Sequence, residues 1–211
     1  DIYTSDPYFR RIKPSQIKYW WYRYQTLYLP FVYCGLMFQL IFRDFFAILN
    51  QSWGGVKFQP ISNLEILMFI FSKIVWICYL LIIPIYIFNW SLILTIFFWG
   101  ICYCTTSIIL VIMFQINHVT SLTYVHDLNN SNQEKDWAKL QITGSCNFCP
   151  GSMFWNHLSG GLNHQIEHHL FPSISHVNYP NIQKIVQGCC DKENVPYLSF
   201  PSIIDAIKSH F

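Results

Sequence analysis

Leu64–Phe88, LEILMFIFSKIVWICYLLIIPIYIF, and Leu92–Phe114, LILTIFFWGICYCTTSIILVIMF, stand on either side of Asn89-Trp90-Ser91, and together they decide the fold class. A helix rises about 1.5 Å per residue, so about twenty apolar residues cross the hydrocarbon of a bilayer; both runs are long enough. The first carries Glu65 at its start and Lys73 further in. A lysine facing lipid at mid-bilayer costs a few kcal/mol, so Lys73 either snorkels to the near interface or faces a protein interior. The uninterrupted core is then Ile74–Phe88, with Pro84 placed to kink it. The reading is an all-α integral membrane protein built on one transmembrane hairpin.

Composition agrees. Only 11% of the 211 residues are charged, while 53% are hydrophobic and 18% aromatic, which is too apolar for an ordinary soluble domain. A net charge of +2, with no basic helix interleaved with aromatics, sets nucleic acid aside as a partner. Arg10, Arg11, Lys13, Lys18 and Arg23, mixed with Tyr19, Trp20, Trp21, Tyr22 and Tyr24, describe an arm lying at a cytoplasmic membrane interface. Leu27–Leu49 is apolar until Arg43 and Asp44, but only about fifteen uncharged residues precede them, too few to cross. That segment reads as interfacial or half-buried. Gln51–Ser62, with Gly54, Gly55 and Pro60, reads as a loop or turn.

The expected organisation is an interfacial and cytosolic arm over residues 1–63, the hairpin over 64–115, and a cytosolic histidine-bearing helical cap over 116–211. A hairpin returns the chain to the side it left, and the basic arm marks that side as cytosolic. The sequon at Asn129-Asn130-Ser131 is therefore expected to stay unglycosylated. In the cap, amphipathic spacing at Ile182, Ile185 and Val186 predicts a helix over 181–190, and Pro201 precedes a short terminal helix over 202–210. Eight cysteines in unlike surroundings spell no disulfide framework and read as reduced thiols; Cys146-x-x-Cys149 has zinc spacing but no second pair of the usual form.

Four of the eight histidines lie between His157 and His169. If residues 165–171 are helical, Gln165, His168 and His169 fall at i, i+3 and i+4 on one face, with His164 at its rim by i, i+4 spacing to His168. Gly160 and Gly161 bend the chain so that His157 can approach. Gln115 and His118, at i, i+3 where the second span leaves the bilayer, are expected on the same surface. Histidine-rich sites with few carboxylates suit iron or zinc, and the surplus of donors favours two metals. Glu167 points off the ligand face, either to accept an imidazole N–H or as a solvated residue or salt-bridge partner.

Gln165-Ile166-Glu167-His168-His169-Leu170-Phe171-Pro172 resembles the third histidine box of the membrane fatty acid desaturases, and its first glutamine resembles the variant of the front-end desaturases. The resemblance extends through Asn156–His164, Asp136-Trp137 and Gln115–His118, and Asp6-Pro7 with Arg10, Arg11 and Pro14 resembles the segment after that family's second box. It implies a non-haem diiron enzyme that uses dioxygen and electrons from a cytochrome-b-type haem donor. The substrate would be an acyl lipid or acyl-CoA, in the endoplasmic reticulum membrane with the histidine box facing the cytosol. It also implies His118, Gln165, His168 and His169 as iron ligands or their immediate partners, Gln165 acting directly or through water. Gln115, His157, His164 and Glu167 are further candidates, as ligands or as supports behind them; Asn156 and His157 would contact substrate, support an iron or simply pack. The family's first two boxes and a haem domain are absent from these 211 residues, so the chain reads as a piece of something longer, inactive alone. Sphingolipid desaturation, lipid hydroxylation, an inactive fragment and a zinc module are the alternatives.

Overall fold

The computed structural model describes residues 9–12, 16–53, 56–123 and 136–211. They belong to two units: residues 28–109, and residues 1–27 together with 110–211.

The 28–109 unit holds the apolar helices. Helix α1 (Gln25–Tyr33), with Pro30 inside it, and α2 (Leu36–Asn50) meet at Gly35. The Trp20–Tyr33 and Leu36–Asn50 segments are bent by 65°, so the stretch expected at the interface is a broken helical pair that is long and apolar enough to cross only if both halves count as one span. Gln51, at φ 45°, ends α2, and a two-residue hairpin follows in which β1 (Ser52–Trp53) pairs antiparallel with β2 (Val56–Lys57).

Helix α3 (Asn63–Ile77) opens on a capping box: Ser62 Oγ accepts from Glu65 N–H at 3.3 Å, and Glu65 accepts from Ser62 N–H at 2.8 Å. That explains a carboxylate at the head of an apolar helix. The winding continues as a π-helix over Cys78–Ile87, completing a 25-residue span. Pro84 lies inside it, where the wider winding accommodates a residue that has no N–H to donate. Asn89, at φ 54°, turns the chain, and α4 (Leu92–Gln115) is the second span. Lys73 has its answer: Nζ lies 3.4 Å from Asp44 on α2 and 4.9 Å over the Phe69 ring. Phe38, Trp76, Trp99 and Tyr103 form an aromatic cluster that ties α2, α3 and α4 together, with ring centroids 4.8 to 6.0 Å apart.

In the other unit, Asp136 caps α5 (Trp137–Thr143) by accepting from Ala138 N–H at 2.9 Å. After β3 (Asn147–Phe148) come α6 (Met153–Leu158), α7 (Gln165–Leu170), α8 (Tyr179–Glu193), β4 (Ser199–Phe200) and α9 (Ile203–His210), the last capped by Ser202. Strands β3 and β4 pair in parallel, Asn147 opposite Ser199 and Phe148 opposite Phe200. Ile116, Cys146, Phe148, Phe200 and Ala206 make one core; Ile142, Ile166, Val186 and Cys190 make another.

Among the described residues, the regular secondary structure is helical apart from these two short strand pairs. Helix α8 starts earlier than its spacing predicts, and Ile185, expected on the buried face with Ile182 and Val186, is 68% exposed. All eight cysteines are free thiols. The Asn129 sequon, Asp6-Pro7 and Pro14 lie outside the described residues.

Candidate metal centre

A six-residue helix does not persist in water on its own, so α7 is held by what surrounds it. Gly160 and Gly161, at φ 64° and 86°, reverse the chain after α6, and a 3₁₀ turn over Leu162–His164 leads into Gln165. Gln165, Ile166 and Glu167 are buried, while His168 and His169 are half-buried. Phe171, at φ −133°, has left helical conformation because Pro172 follows it.

Three imidazoles come together. The rings of His118 and His169 stack at 5.0 Å and 19°, and those of His168 and His169 lie 5.9 Å apart. Gln165 Nε2 is 2.9 Å from His169 Nε2. An amide nitrogen only donates, so His169 Nε2 is the unprotonated nitrogen. Asn117 Nδ2 donates to Gln165 Oε1 at 3.2 Å and to the Leu162 carbonyl at 2.9 Å, joining the end of α4 to the start of α7. The Gly144 carbonyl, 3.4 Å from His118 Nδ1, accepts a proton held there and leaves the lone pair on Nε2. His168 Nδ1 is 3.4 Å from the Tyr179 hydroxyl. Gln115, the last residue of α4, is buried.

Burial lowers the pKa of His118; burial, then the neighbouring His169, lowers that of His168; burial, then His118, brings His169 down to about 4. Neutral imidazole is the form that binds a transition metal. Although these three rings are neighbours, among the described residues no group of three His, Cys, Asp or Glu side chains is arranged to hold a metal ion by itself. The donors thus fit iron in chemistry and protonation, as part of a ligand set. Among the described residues the cysteines join no group of three donors that could hold a metal, and the Cys146 Sγ donates to the Ile116 carbonyl, burial pushing this thiol's pKa up to about 12.

Three expected positions differ. His164 precedes α7 and is fully buried, with no hydrogen bond on either ring nitrogen, so helical spacing to His168 does not describe it. Glu167 is also fully buried, which removes the solvated alternative. Its partners are the Asn147 amide at 2.8 Å and the Tyr197 hydroxyl at 2.7 Å; His164 Nδ1 is 3.7 Å away, too far for a hydrogen bond. His157 is exposed on α6, its Nδ1 2.8 Å from the Met153 carbonyl and its ring edge-on to His176. Asn147 and Tyr197 escape sequence reasoning, because a polar residue beside a two-residue strand gives no periodic signal.

His210 shares the neutral state. Burial, then the adjacent Arg10, lowers it to about 4. Unfolded histidines titrate near 6.5, so between about 6.5 and 4 the unfolded chain binds more protons than the folded one, and stability falls as pH falls. His210 alone is expected to withdraw about 3 kcal/mol across that window, and the more open His169 somewhat less. Melting temperature measured from pH 7 to pH 4 should drop steadily; a flat profile contradicts neutral burial.

The family model described as "Fatty acid desaturase" matches residues 3–201. An acyl-lipid (8-3)-desaturase of Physcomitrium patens is 35% identical over the whole of this chain and 44% of its own length. A probable Delta(5) fatty acid desaturase of Dictyostelium discoideum is 36% identical over the whole chain and 47% of its own length, and an sn-1 linoleoyl-lipid 6-desaturase of Synechocystis is 30% identical over 95% and 56%. The chain spans about half the length of these relatives. No solved structure matches it. A family match across nearly all of the chain, including both elements that carry the clustered imidazoles, makes the chain a member of the fatty acid desaturase family.

Proposed function

We propose that this chain is the C-terminal part of a front-end acyl desaturase, which inserts a cis double bond into a polyunsaturated acyl chain with dioxygen at a diiron site. The observation that carries the reading is that the neutral His118 and His168 rings both lie against His169, which in turn meets the Gln165 amide, in a chain whose relatives are named as (8-3)-, Delta(5)- and 6-desaturases.

Bound iron, with dioxygen, would supply the oxidising power to take hydrogen from an unactivated C–H bond. His118, His168, His169 and, directly or through water, Gln165 would hold it, the remaining ligands coming from the other part of the parent. This chain's own contribution is orientation. Gly144 turns the His118 ring and Asn117 fixes the Gln165 amide, whose hydrogen bond to His169 Nε2 occupies the lone pair that iron would take and would have to give way to it. Burial keeps the imidazoles deprotonated at neutral pH, so no proton need leave before a metal binds. The acyl-lipid and linoleoyl-lipid desaturases among the relatives favour an acyl chain carried on a lipid over one carried on coenzyme A. Two apolar spans following a basic arm support a cytosolic site in the endoplasmic reticulum membrane, with electrons from a cytochrome-b-type haem domain or protein.

Expression of the full-length parent in a host fed defined polyunsaturated acids tests the reading. The expected product has one new double bond on the carboxyl side of an existing one, in the lipid-bound fraction. Hydroxylated acyl chains, or altered sphingoid bases with no change in acyl chains, would move the protein to another activity of the same superfamily.

A further inference from the structure

The donors sit on two elements far apart in sequence: His118 just past the end of α4, and Gln165, His168 and His169 on α7. Neither can fix the other's position through its own backbone hydrogen bonds. The short stretch from Gly144 to Asn147 reaches both, through three of its residues. The Gly144 carbonyl meets His118 Nδ1 at 3.4 Å; Cys146 N–H donates to the Asn117 carbonyl at 2.8 Å, and Cys146 Sγ to the Ile116 carbonyl at 3.3 Å. Asn147, the next residue, turns the opposite way. Its Oδ1 accepts from the Ile166 N–H at 3.0 Å, while its Nδ2 donates to Glu167 at 2.8 Å and to the Tyr197 hydroxyl at 2.6 Å. Tyr197 closes the ring by donating to Glu167 Oε1 at 2.7 Å, and Asn147 N–H is anchored on the Leu198 carbonyl at 3.0 Å, beside β4.

Asn147 and Glu167 are fully buried, and Cys146 likewise. A buried carboxylate satisfied by two donors from two other elements holds its helix in register, because a shift of α7 would strand the carboxylate, the amide and the Ile166 N–H together. We infer that Asn147 and Tyr197, acting through Glu167, are positioning residues that set the separation between His118 and the α7 donors. The inference rests on the proposed iron site. In that role Glu167 holds the helix and leaves the imidazoles to other partners.

The test uses the full-length parent, purified in detergent, with Fe(II) affinity measured by chelator competition alongside kcat, KM and the melting temperature of the metal-free protein. Tyr197→Phe, which keeps the ring and deletes one hydroxyl, is expected to weaken Fe(II) binding about tenfold, and Asn147→Ala about 100-fold, as for other partners that orient metal ligands. The kcat should fall while KM for the acyl lipid stays. The double variant Tyr197→Phe with Glu167→Gln should bind Fe(II) within about twofold of the weaker single variant, as expected of members of one network. If Asn147→Ala fails to fold, the Tyr197 single and double variants carry the comparison. A Tyr197→Phe protein with a lower melting temperature but unchanged Fe(II) affinity and kcat overturns the inference and makes the network packing alone. A wild-type parent that binds no iron instead sinks the reading of the site, and this inference with it.

Discussion

Replacing His169 by alanine in the full-length parent is expected to abolish desaturation. Altering a residue that merely orients a metal ligand costs about 10- to 100-fold, so loss of a ligand at the centre of the cluster should exceed 100-fold. His169 is that centre. Its ring touches those of both His118 and His168, and its Nε2 is where the Gln165 amide ends. Deleting the ring removes one nitrogen donor, opens a gap beside His118 and leaves the Gln165 amide without its imidazole partner. Because His169 is half-buried and most of the α7 anchorage runs through Ile166 and Glu167, the variant should still fold, with iron content falling rather than yield. Lipid analysis together with iron per folded protein separates the outcomes. Product formation within about tenfold of wild type would remove His169 from the ligand set and with it the reading of the whole box.

Much of this centre is legible in sequence because its parts are local. Gln165, His168 and His169 announce themselves by spacing along one helix, and the two spans by the length of their apolar runs. Depth is not local. His164 and Glu167 look like rim and surface residues on a helical wheel, yet both are fully buried, since a wheel records direction and nothing about what covers it. The pairing of β3 with β4 joins residues about fifty apart through two residues on each strand, too few for an alternating pattern to appear. Asn147 and Tyr197 go unseen for the same reason. Ile185 shows the opposite error: apolar at helical spacing, it faces outward because Val186 and Cys190 fill the core on that side of α8. The sequence position of Lys73 allows two environments, and the choice between them depends on Asp44, on another helix.

Gly161→Ala is expected to cost about 2 to 5 kcal/mol and to disturb the histidine-bearing helix with it. Two penalties combine. At φ 86° an L side chain is strained by about 1 to 2 kcal/mol, and the new Cβ would stand 2.3 Å from the Cβ of His176 and 3.1 Å from the Tyr179 ring. A Cβ cannot be moved by changing rotamer, so the backbone of residues 161–164 or of 176–179 must shift. Either shift reaches the site, because the first carries His164 and leads into Gln165, and the second carries Tyr179, whose hydroxyl lies 3.4 Å from His168 Nδ1. Gly160→Ala is the internal comparison: it has the same positive φ, at 64°, but no atom within 4 Å of the added carbon, so only the conformational strain of about 1 to 2 kcal/mol applies. Thermal melts of the two variants in the same detergent should therefore differ by several degrees, Gly161→Ala being the less stable, and iron retention should fall in that variant alone. Equal melting temperatures would mean that the turn yields freely and that α7 is positioned from its other side, by Asn147 and Tyr197.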